Sequence, residues 1–155
     1  MNVVELDERL ACLGIHLTEA RRAFANYVPA VIAGEFLFIS GQVAFIDGAP
    51  FAPGQVGKEV SIEQAKEAAR LCALSVVAQI RSALTDDSSV LRVCSVQGFV
   101  HADSEFAEHA EVINGASDLL VEVFGDKGRH SRTAVGAASL PFRCPVELSA
   151  VVHIG

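Results

Sequence analysis

Apolar residues recur at steps of three and four in two long stretches of the chain and alternate with polar ones in several short stretches. Ile62, Ala65, Ala69, Cys72, Val76 and Ile80 form one stripe, the period of a helix that buries a single face. Ser61 and Gln64 stand before it with capping-box spacing, so the helix is predicted to start there and run to about Leu84. A second helix is predicted from about Ser104 to Phe124, with Phe106, Ala110, Ile113, Leu120 and Phe124 on one face and Gly125 at the left-handed cap. Gly115 lies inside it. Glycine there costs ~1 kcal/mol relative to alanine, which predicts a close approach of another element to its backbone. A short amphipathic helix is predicted over residues 3–14, ended by Gly14.

The remaining pattern is β. Residues 29–34 and 36–39 meet at Gly34-Glu35 and read as a hairpin. Residues 46–58 carry Gly48, Pro50, Pro53, Gly54 and Gly57, which is loop chemistry. After a turn at Asp86-Asp87-Ser88-Ser89, Val90 to Val100 reads as a long strand. Two strands close the chain: Arg132 to about Ala138, and Val146 to Ile154, where Leu148, Ala150, Val152 and Ile154 alternate with Glu147, Ser149, Val151 and His153. The order is helix, β, β, long helix, β, long helix, β, β. One mixed sheet with both long helices on one face buries each stripe, which makes an α+β, two-layer fold. Residues 1–155 are expected to form a single domain, with 1–23 as an N-terminal helical extension.

Composition narrows the function. With 155 residues, 51% hydrophobic and 20% charged, the chain can bury a full core, and its apolar surplus suggests a subunit interface as well. A net charge of -7 is the wrong sign for phosphate-backbone binding. No run reaches the ~18 apolar residues of a membrane helix. Glu5, Asp7, Glu8 and Arg9 near the start are unlike a signal peptide, so a cytoplasmic protein is expected. Cys12, Cys72, Cys94 and Cys144 are widely spaced and read as reduced, mostly buried thiols.

Neither dinucleotide, P-loop, zincin nor hydrolase-elbow motifs are present. His101 and His109 flank the start of the second long helix; lacking a third ligand they read as surface histidines. His130 stands just before Arg132; a loop histidine is the first reading and tuning of a site the alternative. If the last two strands form an antiparallel hairpin, one register sets Ala134 opposite Glu147. Arg132 and Glu147 then share the sheet face away from the helices, roughly 7–8 Å apart at Cα, while Val135 and Leu148 point toward them. Such a pair is either a solvated ion pair worth about 0–1 kcal/mol or a fork for a substrate carboxylate beside a group that orients water.

Arg132-Thr-Ala-Val135, Ser139-Leu-Pro141 and Val146-Glu147, with the acid fifteen positions after the arginine, resemble the C-terminal signature of the RidA/YjgF family, also labelled endoribonuclease L-PSP. Tyr27-Val28 and Ile39-Ser-Gly-Gln42 are similar to its N-terminal signature, and Asn114 falls at its helix asparagine. The resemblance covers roughly residues 24–154 and points to a longer subgroup, because of the N-terminal extension and the 46–58 loop. It implies a chorismate-mutase-like fold and a homotrimer with sites in clefts between subunits. It also implies hydrolysis of 2-imino or enamine acids, such as 2-aminoacrylate, to 2-oxo acids and ammonia. The substrate is then a small carboxylate, with no metal or organic cofactor, and the role is detoxification of reactive intermediates. By position, Arg132 would bind the carboxylate and Glu147 would orient or activate water. The backbone near Ala134 would contact the imine, and Tyr27, Ser40, Gly41 and Asn114 would shape the cleft. Ala134 departs from the cysteine that many deaminase-active members carry there. For the rest, plain structural readings stay open: interface packing for Tyr27, a bulge or turn for Ser40-Gly41, a surface amide for Asn114. A non-catalytic trimeric binder of 2-oxo acids is the alternative function; the endoribonuclease and translation-inhibitor labels fit the negative charge poorly.

Overall fold

The computed structural model describes residues 1–22 and 25–155; the end of the expected N-terminal extension, residues 23–24, lies outside them. Helix α1 (Val3–Cys12) is opened by a capping box between Asn2 and Glu5. It buries Leu6 and Leu10 completely or nearly so, and Asp7 takes a two-pronged ion pair from Arg81 at 2.6 and 2.7 Å. Helix α1 is therefore part of the core.

Strands β1 (Ala30–Ala33) and β2 (Phe36–Val43) form the expected hairpin, with Gly34 in the left-handed region at φ 59°. The 46–58 loop holds more order than its composition suggests. Phe45–Ile46 (β3) pairs with Ala49–Pro50 (β4) across Asp47-Gly48, both at positive φ, as tight hairpins require.

Helix α2 (Ile62–Ala83) starts at the Ser61–Gln64 capping box and runs as predicted. Helix α3 (His109–Phe124) starts later than predicted, because Asp103 Oδ1 accepts from the backbone of Glu105 and Phe106 and folds that segment into a side-chain-closed turn. Val112, Ile113, Ala116, Leu119, Leu120, Val123 and Phe124 then face the core. The expectation for Gly115 is met: a Cβ there would overlap the Lys66 carbonyl of α2.

The five-stranded sheet has the order β1-β2-β7-β5-β6, with β5 (Val90–His101), β6 (Ser131–Ala137) and β7 (Val146–Ile154). It is mixed, because β6 runs parallel to β5 while the other pairs are antiparallel. Both long helices cover one face, and β7 buries every second residue as its alternation predicts.

The expected C-terminal hairpin is corrected. Strands β6 and β7 do not pair, because β5 lies between them. The connection of residues 138–145 is too long for a tight hairpin turn and steps across the end of β5. There the His101 amide donates to Pro145 and the Ala102 amide to Ala137. Strand β6 instead arrives through α3, the crossover that parallel pairing needs. Its register sets Val96 beside Arg132 and Gly98 beside Ala134, so Arg132 and Ala134 lie on the helix face. Glu147 pairs with Phe99 on the opposite face. Leu148 does face the helices, but Val135 faces outward and is 41% exposed.

His101 is corrected too: it is buried rather than at the surface, and His109 is half-buried against Gly136. Cys72 and Cys144 are buried, Cys94 is half-buried and Cys12 exposed, all as free thiols. Among the described residues no helix is long and apolar enough to cross a membrane.

Candidate functional site

The candidate residues divide into two groups on opposite faces of the sheet. The first lies in the groove between α3 and the edge strand β6. Arg132 Nη1 donates to Asn114 Oδ1 at 2.9 Å and to Ser117 Oγ at 3.1 Å, and Nη2 donates to the Ala110 carbonyl at 3.3 Å. Ala110, Asn114 and Ser117 follow one another at helical steps of four and three, so one flank of α3 holds the guanidinium. The residue nevertheless remains exposed. A guanidinium has five N–H donors; the remaining ones, Nε–H and one on Nη2, have no partner among the described residues. Ala134 is half-buried next along the same face of β6.

The second group surrounds Glu147 on the open face. Ser40 and Gly41 together oppose a single β7 position, since pairing jumps from Ile39–Ala150 to Gln42–Leu148. This is a β-bulge, the structural reading of the pair. It also shapes the site, because a Cβ on Gly41 would overlap Glu147 Oε1. Gln42 Nε2 closes the bulge on the Ser40 carbonyl at 2.9 Å. The Ser40 hydroxyl and amide donate to the carbonyls of Val28 and Pro29, which holds the segment after Tyr27 against the bulge. Tyr27 is 48% exposed and lines a small recess with Gly41, Arg21 and Arg22.

Burial pushes the Glu147 carboxyl above its ordinary pKa. Nearby thiols are pushed up as well, first by burial: Cys144 to about 11, and Cys72 further. Both are protonated at neutral pH and carry no nucleophilic thiolate. Among the described residues no cluster of three or more His, Cys, Asp or Glu could hold a metal.

Within one chain the two groups do not meet. Two strand spacings and three residues of offset separate Arg132 from Glu147 by roughly 14 Å at Cα, with the sheet between their side chains. The resemblance put all of the candidate residues in one cleft; within the chain Arg132 meets Asn114 and Glu147 lies against Gly41. Sequence reasoning missed Ser117 and the Ala110 carbonyl, although the i, i+3 spacing from Asn114 was a usable signal.

The open face is apolar at its edges. Val31, Phe36, Phe38 and Val135 are 51, 41, 43 and 41% exposed; Val31 pairs with Phe38, Phe38 with Val151, Phe36 with His153 and Val135 with Phe99, which puts them on the Glu147 side. Exposed large apolar side chains at both edges of one face make it a candidate interaction face.

Residues 7–151 match the family described as "YjgF/chorismate mutase-like, putative endoribonuclease". Protein TCP17 of Trypanosoma cruzi is 43% identical over 143 residues, 92% of this chain and 89% of its own. The crystal structure of Atu1372 from Agrobacterium tumefaciens is 42% identical with a TM-score of 0.88, over 99% of this chain and 94% of that one. Escherichia coli TdcF, solved with bound serine, is 22% identical with a TM-score of 0.61, over 87% of this chain and 93% of its own, and shares the fold.

Proposed function

Because the chain belongs to the YjgF/chorismate mutase-like family, we propose that it hydrolyses 2-imino and enamine acids to 2-oxo acids and ammonia, in clefts between the subunits of a homotrimer. One observation carries the reading: an exposed arginine locked by Asn114, Ser117 and Ala110, with donors left over to point outward. A guanidinium fixed in this way matches a carboxylate with two parallel hydrogen bonds. The incompleteness of the site within one chain supports the assembly. Arg132 and Glu147 are too far apart in one chain to touch one small substrate, whereas apolar open faces packed together can bring the Arg132 edge of one protomer to the Glu147 face of the next.

The chemistry asks little of the protein. An iminium carbon is already electrophilic, so the tasks are to hold the acid group and place a water, and positioning supplies several kcal/mol. Glu147 takes a proton as water adds to C2. It returns that proton to the nitrogen, and as the C–N bond breaks it takes the C2 hydroxyl proton and passes it to the departing ammonia, leaving the 2-oxo acid and ammonium. Burial raises the Glu147 carboxyl, which brings it closer to the working pH that both transfers need.

The test is ammonia release from a serine or threonine dehydratase reaction with and without the purified protein. Acceleration by wild type, and none by Arg132→Ala or Glu147→Gln, is expected; no acceleration by wild type refutes the reading. Mixing the two inactive variants during refolding tests the shared cleft: random assembly restores about a quarter of the sites, and a site within one chain restores none. The alternative, a binder of 2-oxo acids that uses Arg132 alone, is favoured by the distance to Glu147 within the chain. It predicts saturable pyruvate binding without turnover.

A further inference from the structure

We infer that His130 is a positioning residue for Arg132, acting through Ser117. The inference rests on the carboxylate-binding role just proposed for Arg132. His130 Nδ1 lies 2.6 Å from the Gly128 carbonyl, and Nε2 lies 3.0 Å from Ser117 Oγ. A carbonyl oxygen only accepts, so Nδ1 carries the proton. In the neutral ring Nε2 then accepts the Ser117 hydroxyl hydrogen. That turns the Ser117 lone pairs toward Arg132 Nη1, 3.1 Å away. Each proton in the series from Arg132 to Ser117 to His130 to Gly128 is thus placed by the next acceptor, and the guanidinium is held in one plane by Ser117 on one bond and Asn114 on another.

The surroundings favour the neutral ring. Burial lowers the His130 pKa most and the Arg132 charge lowers it further, against the Gly128 bond, which raises it. Other charges of the packed elements are engaged elsewhere. Asp126 pairs with Arg129 at 3.3 Å, Lys127 Nζ donates to the Val90 carbonyl, and Asp118 of α3 lines the opposite flank with Glu63 and Lys66. When the ring gains a proton, Ser117 Oγ must accept from two cations that repel each other, and the hold on Arg132 loosens.

The full chain carries the test. The side-chain N–H signals of Arg132, followed by NMR at pH 7, should be resolved in wild type, collapse by rapid rotation in His130→Ala, and persist in His130→Gln, whose amide oxygen accepts from Ser117. In imine turnover, His130→Ala should raise KM roughly tenfold with kcat within about twofold, and Ser117→Ala should match it. The wild-type to His130→Gln ratio of KM should rise at acid pH, below the ordinary histidine range, since glutamine does not titrate. Arg132 signals unchanged in His130→Ala, equal KM in His130→Ala and wild type, or a wild-type to His130→Gln KM ratio that stays flat with pH overturns the inference. If wild type turns over no imine, the functional reading falls, and the Arg132 signals still decide whether His130 fixes the guanidinium.

Discussion

Replacing Gly41 by alanine tests the Glu147 half of the site without altering an ionisable group. The new Cβ would land on Glu147 Oε1 and stand 2.8 Å from Cδ and 3.1 Å from Cγ. Ordinary contact starts near 3.4 Å, so the carboxyl carbon must retreat by about 0.6 Å and its oxygen by more. What moves is the end of a flexible, half-buried side chain rather than backbone, and an off-rotamer position costs about 0.5–1.5 kcal/mol. The melting temperature should therefore fall by only a few degrees. The same displacement is ruinous for a group that must sit within hydrogen-bond reach of a water, because about 1 Å of misplacement costs on the order of 100-fold. The assay is kcat/KM for ammonia release alongside pyruvate binding. Gly41→Ala should lose turnover about 100-fold and keep the carboxylate affinity that Arg132 provides. Wild-type turnover by a folded Gly41→Ala protein would refute the assignment of Glu147, since its carboxylate cannot stay where it is.

Arg132→Lys keeps the charge but removes the planar fork; losing one charge-assisted hydrogen bond of about 1.5–3 kcal/mol should lower kcat/KM roughly 10- to 150-fold, and unchanged kinetics would show that Arg132 binds no carboxylate. Glu147 has a raised pKa, so between its unfolded and folded values the folded chain holds the extra proton and stability falls as pH rises through that window. Urea midpoints from pH 4 to 8 should decline more for wild type than for Glu147→Gln, and parallel curves would contradict the burial penalty. Gly115→Ala places Cβ on the Lys66 carbonyl, 2.9 Å from its carbon, where backbone cannot swing aside. A cost of about 1–3 kcal/mol and a melting temperature lower by roughly 3–10 °C are expected from calorimetry, and an unchanged transition would mean that α2 and α3 are not in close contact.

The helices were legible because periodicity, caps and Gly115 all point the same way: Ser61 and Gln64 start α2, and a glycine inside α3 has no local use but an evident one where two helices touch. The last strand was legible because β7 is buried on one face along its whole length. Strand β6 was not. At the sheet edge five of its seven residues are exposed, so Arg-Thr-Ala-Val-Gly-Ala shows no contrast between an inner and an outer set. Alternation shows only that Arg132 and Ala134 share a face; the partner strand decides which. Adjacency in sequence favours pairing with β7, and the turn-like prolines reinforce it, but α3 delivers β6 parallel to β5 and turns Arg132 toward Asn114 and Ser117. The fifteen-residue spacing between Arg132 and Glu147 therefore records no contact inside one chain. If it records a site, the distance that matters is measured from one protomer to the next, which no pattern along a single sequence contains.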